Sequence, residues 1–127
     1  MTLLRIGYGG YKSPDLFVAA VQALQPDLVI DARFSTWSRP GFRGYELKRA
    51  FAALSIPYQH RRSLGNENYK GPGPIVIAEP SAIAVVHEEA LIRRVVLFCV
   101  CRTDAPGCHL AVILRGDVGV VTAPRLL

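Results

Sequence analysis

The sequence predicts a single α/β domain: a mostly parallel sheet of about five strands with helices on both faces, a three-layer, Rossmann-like arrangement. Three observations lead there. Strand-like and helix-like segments alternate along the 127 residues. The strand-like segments DLVIDA and VVLFCVC are apolar throughout rather than at every second position, as expected of strands buried on both faces. No linker or internal repeat divides residues 1–127, a length that suits one domain and is short for two.

Each element follows from local chemistry. LLRIGYG (3–9) is a first strand that runs into glycines. Ser13-Pro14 then opens a helix through LFVAAVQAL, with a capping hydroxyl and a proline where no intrahelical N–H is needed. Pro26 closes it. DLVIDA (27–32) is a second strand tipped by Asp31, and the loop RFSTWSRPGFRG leads to a second helix, YELKRAFAAL. Residues 56–60 form a short strand. RRSLGNENYKGPGP (61–74) is a long Gly/Asn/Pro loop, of the kind that carries function in compact domains. Ser81 is expected to cap a third helix reaching about Arg94, and VVLFCVC (95–101) is a buried strand. A short helix over 108–115, stopped by Gly116, precedes a last strand, VGVVT (118–122).

Composition narrows the function classes. No apolar run approaches the roughly 20 residues of a membrane span. The start MTLLRIGYGGYK does not read as a secretory leader, so the cysteines are expected as thiols in a reducing cytoplasm. Net charge is +5 and it is concentrated: residues 33–70 hold eight basic residues against Glu46 and Glu67, leaving the rest of the chain slightly acidic. Most are arginines, whose planar fork suits phosphate or carboxylate.

In an open parallel sheet, ligands bind beyond the carboxyl ends of the strands. Gly7, Asp31 and Arg33, His60, and the stretch CVCRTDAPGCH (99–109) all fall there. That last stretch contains all three cysteines. Cys108 and His109 sit at a predicted helix start, where N–H groups favour an anionic thiolate. Arg102 and His109 add to that, so Cys108 is expected to ionise most readily. Cys101 is its resolving partner, and Cys99 is a buried small hydrophobe. Metal is not expected, because the usual Cys-x₂-Cys knuckle is missing and a regular strand aims Cys99 away from Cys108. Structural zinc stays as a weaker alternative.

Four blocks, IGYGGYKSPDLF, VIDARFSTWSRPGF, YQHRRSLGN and LFCVCRTDAPGCH, resemble in order and spacing the bacterial and phage family catalogued as domain of unknown function 488. The resemblance marks Gly7, Asp31, Arg33, Pro40, Gly41, Phe42, Tyr58, His60, Leu64, Gly65, Cys99, Cys108 and His109. It departs at Leu110, where the family carries arginine, and at Arg62, where proline is common. It implies a fold and a pocket rather than a reaction.

The expectation is therefore an enzyme with Cys108 as nucleophile or redox thiol, Cys101 beside it, and His109 or His60 moving the proton. Gly7, Asp31, Arg33, Arg39, Arg43 and Gly65 would bind a phosphate-bearing substrate, a nucleotide or a nucleic acid. The alternative is a non-catalytic module in which these arginines, with Trp37, Phe42 and Tyr45, grip single-stranded nucleic acid. The sequence names no cofactor and no oligomeric state.

Overall fold

The computed structural model describes residues 2–71, 73–101, 108–115 and 120–122, the last three by their backbone pairing. Arg102, Gly107, Gly116 and the first half of the last predicted strand lie outside the described residues. The elements are β1 (Thr2–Gly7), α1 (Pro14–Ala23), β2 (Leu28–Asp31), α2 (Gly44–Ala53), β3 (Tyr58–His60), a 3₁₀ turn (Arg62–Leu64), α3 (Ser81–Ala90), β4 (Arg94–Cys99), α4 (His109–Leu114) and β5 (Val120–Thr122).

All strand pairings of the sheet are parallel, in the order β3-β2-β4-β1-β5, and a lone antiparallel bridge joins Asn66 to Ile77 outside it. The first four strands make the body of the sheet, and β5 adds a three-residue pairing along β1. Side chains alternate between two cores. Leu4, Ile6, Val29, Val96 and Phe98 pack against α1 and α2, whose Phe17, Val21, Leu47 and Phe51 are wholly buried. Leu3, Leu28, Ile30, Val95, Leu97 and Cys99 pack on the other face with Val86 of α3 and Leu110 and Ile113 of α4. Helices thus cover both faces.

Connection handedness accounts for this split. The chain moves from β1 to β2 to β3 in one direction across the sheet, then back to β4 and β5 in the other. Right-handed crossovers place the helices of the two directions on opposite faces. β1 and β4 are neighbours whose connections leave toward opposite faces, so a crevice opens above their carboxyl ends. The register brings Gly7 level with Cys99, and Asp31 level with both Phe98 and His60.

Helix ends show where local signals held. The hydroxyl of Ser13 accepts from the Leu16 N–H at 3.2 Å, with Pro14 at the first helical position. Ser81 does not cap α3: it is the first helical residue, and Pro80 precedes it in helical conformation without a side-chain cap. The helix also stops at Ala90, before Arg94. Arg94 instead begins β4, where its N–H bonds to Asp27 and its Nε to the Leu24 carbonyl.

Candidate functional site

The crevice holds a cavity of about 420 Å³. Its floor is Cys99, Cys101, Cys108 and His109; Tyr8, Phe34, Trp37 and Tyr69 supply aromatic wall, and Ser35, Ser38, Asn66 and Asn68 supply polar groups. Three connections build it: the turn after β1, the loop after β2, and the long loop after β3. Asn66 staples that long loop, its side-chain oxygen accepting from the N–H groups of Asn68 at 3.0 Å and Val76 at 2.9 Å. Gly65 lets the same loop approach the β2 loop. A Cβ there would stand 2.4 Å from Phe34 Cα, so Gly65 serves backbone contact and does not line the cavity. Gly7, too, is buried at the end of β1 beside Cys99 and lines no cavity wall.

The Asp31-x-Arg33 pair is the strut beneath the β2 loop. The Arg33 Nε and Nη2 donate to the two Asp31 oxygens at 2.8 and 2.7 Å, while Nη1 donates to the Phe42 carbonyl at 2.6 Å and to Tyr8 Oη at 3.3 Å. Tyr58 Oη donates to Asp31 at 2.6 Å. Both ions are buried, at 5% and 0% exposure. Burial alone would lower the Arg33 pKa, but the hydrogen bonds and charge of Asp31 override it and hold the guanidinium above its ordinary value. Burial, reinforced by the Asp31 charge, pushes the Tyr58 phenol up, so it stays a donor. Arg33 lines the cavity and Asp31 lies buried behind it; their polar atoms are committed to each other and to the fold.

Arg39 and Arg43 behave differently. Each makes one backbone hydrogen bond, Arg39 to Tyr11 and Arg43 to Ser38, and lies over an aromatic ring, Phe42 at 4.3 Å and Trp37 at 4.2 Å. Trp37 is 74% exposed and Tyr69 48%. Arg62 stacks on Phe34 at 3.8 Å. His60 is not brought to the cysteines. It is exposed at the end of the edge strand β3, its Nε2 donates to the Arg33 carbonyl at 2.7 Å, and it borders a shallow depression with Tyr45 and Lys48.

The thiols overturn two expectations. Cys99 does not point away from Cys108: their sulfurs are 2.9 Å apart, and the three Sγ atoms all lie within 4.8 Å of one another. Strand geometry puts Cys99 on the face that α4 covers, and Cys108 is the N-cap residue of that helix. Nor is Cys108 the open, acidic thiol. It is 2% exposed, and its hydrogen bond to Cys101 pushes its pKa up, as does burial. Cys99, 1% exposed, is raised by hydrogen bonds to Cys101 and Cys108 and by burial. Cys101 is half-buried and accepts from both neighbours, which holds it well below the usual thiol range. A six-residue helix in contact with two other thiols offers its cap sulfur neighbours rather than solvent, so its start does not make Cys108 the acidic thiol.

His109 is 9% exposed and its Nε2 donates to the Ala32 carbonyl at 2.7 Å. Burial lowers its pKa, so the ring is neutral and Nδ1 carries the free lone pair. Sequence reasoning passed over Arg5. It is 8% exposed, and its Nε and Nη1 have no partner among the described residues. An arginine inside an otherwise apolar strand was the signal available.

Comparison of the chain with models of known protein families, with curated proteins and with solved structures gives no match. No helix among the described residues is long and apolar enough to cross a membrane.

Proposed function

We propose that the chain is a thiol-dependent enzyme that takes a phosphate-bearing, ring-containing substrate of the nucleotide class into the crevice, with Cys101 as the reacting sulfur. The carrying observation is the cavity floor: three thiols in mutual contact, of which Cys101 alone is open enough to meet a bound molecule. The walls fit a flat ring, with Trp37 and Tyr69 exposed in the same cavity. Arg39 and Arg43 do not line the cavity, but Arg43 stacks on Trp37 and Arg39 lies over Tyr8, both of which do, so these two supply the cations for an anionic group while Arg33 is held by Asp31. Cys99 and Cys108 act as hydrogen-bond donors to Cys101, and His109 Nδ1 is the nearby proton acceptor. Free thiols in this number suit a reducing compartment.

The test is titration of Trp37 emission with nucleoside monophosphates, paired with alkylation of Cys101. Saturable quenching that also slows Cys101 labelling supports the reading; neither effect at millimolar nucleotide overturns it.

A second reading, a non-catalytic single-stranded nucleic-acid module, is favoured by the stacked arginine–aromatic pairs Arg43–Trp37 and Arg62–Phe34, each with one exposed member. Oligonucleotide binding that survives Cys101→Ser and is lost in Arg39→Ala, with no covalent or catalytic product from any nucleotide, would select it.

A further inference from the structure

We propose that Cys99, Cys101 and Cys108 form a site for one divalent cation of the zinc class, with the fourth coordination position facing the cavity. The inference does not rest on the nature of the substrate. Three lines on this face of the sheet converge on it.

The first is the sulfurs themselves. Around a tetrahedral ion with metal–sulfur bonds of about 2.3 Å, thiolate sulfurs stand roughly 3.8 Å apart. Cys99 and Cys108 Sγ are 2.9 Å apart and all three Sγ atoms lie within 4.8 Å of one another, so small side-chain shifts bring them to that spacing. The Cys-x-Cys pair at the end of β4 is not a zinc knuckle in sequence. The missing ligand comes from the cap of α4, which the fold lays beside it.

The second line is charge. Arg5 lies on the same sheet face as Cys99, two residues before the Gly7 that pairs with it. A guanidinium this buried, with two nitrogens unpartnered among the described residues, is costly unless a negative group lies near. Three thiolates around a divalent ion carry one net negative charge, which Arg5 balances. Around a monovalent ion they would carry two, so the divalent class is favoured.

The third line is His109. A ring whose outer nitrogen donates to a backbone carbonyl is the usual support for a metal-ligating or metal-facing imidazole. Nε2 donates to Ala32, and the ring lines the same cavity as the three sulfurs. Its nitrogens are not among the ligand atoms that lie within 4.8 Å of one another, so the fourth position falls to a solvent or substrate atom that the imidazole faces.

Loading would displace the thiol protons to water and engage Cys101, so the loaded protein would resist carbon electrophiles that the stripped protein accepts. Reduced, chelator-stripped protein is titrated with Co(II) and then Zn(II). The expected result is one Co(II) per chain with thiolate-to-cobalt absorption in the near ultraviolet, abolished by one equivalent of Zn(II). Cys101→Ser, a change at the half-exposed position, should lose part of that absorption and bind more weakly. Arg5→Met, shown folded by circular dichroism, should weaken Zn(II) binding by about tenfold or more. No thiolate-to-cobalt band in tenfold excess Co(II), a band unchanged in Cys101→Ser, or unchanged Zn(II) affinity in folded Arg5→Met overturns the site. Quenching of Trp37 by nucleotide in stripped protein is a separate readout, so loss of one proposal leaves the other standing or falling on its own.

Discussion

Asp31 accepts three hydrogen bonds from Arg33 and one from Tyr58, all away from solvent. Removing one partner of such a pair leaves an uncompensated buried charge, a loss of about 3–5 kcal/mol. Asp31→Asn should therefore lower the unfolding free energy measured by denaturant titration by that amount, and a loss below about 1 kcal/mol would show the pair to be incidental. The spacing Asp-x-Arg after an apolar strand was legible in the sequence. Its role was not, because the groups that complete it, the Phe42 carbonyl and Tyr8 hydroxyl, come from 9 and 25 residues away. The cysteines teach the same point. Their crowding in CVCRTDAPGCH was visible, but which sulfur faces outward depends on how α4 lies on β4.

At the level of elements, caps were readable where a side chain does the capping, as at Ser13, and misread where it does not, as at Ser81. The long loop after β3 was recognised by composition, yet its closure on Phe34 depends on Gly65. Gly65→Ala would drive a Cβ into backbone atoms 2.4 and 2.5 Å away, so one of the two loops must shift. We expect a loss of about 2–3 kcal/mol, with weaker ligand binding at the cavity, by thermal denaturation and Trp37 titration. Wild-type stability in Gly65→Ala would mean that the loops are not packed as described. Arg61, just past β3, pairs through both terminal nitrogens with Glu89 of α3. The hydrogen bonds from Arg61 hold the Glu89 carboxyl below its usual value. A depressed carboxyl stabilises the fold above its unfolded pKa of about 4.3 and loses that contribution as pH falls through the folded value. Glu89→Gln should therefore cost up to about 1 kcal/mol at pH 7. It should also flatten the acid limb of the stability curve; an unchanged acid limb would contradict the pairing.

For the whole molecule, the fold class was legible because burial on both faces leaves a mark in composition. Strand order was not, since equally apolar parallel strands carry no label for their neighbours. What the sequence did convey was that reactive residue types gather at strand ends, and the reversal of direction between β1 and β4 turns those ends into one crevice. His60 was misplaced by the same reasoning: every strand end reads alike in sequence, but β3 is at the edge and its histidine faces the Tyr45–Lys48 depression instead. Reactivity at the crevice thus turns on one sulfur, Cys101. Native, reduced, metal-free protein should be treated briefly with iodoacetamide at neutral pH and its adducts mapped by peptide mass spectrometry. Labelling of Cys101 first, with Cys99 and Cys108 modified only once the protein is unfolded, is the predicted result. Labelling of Cys108 ahead of Cys101, or of all three at one rate, would contradict it.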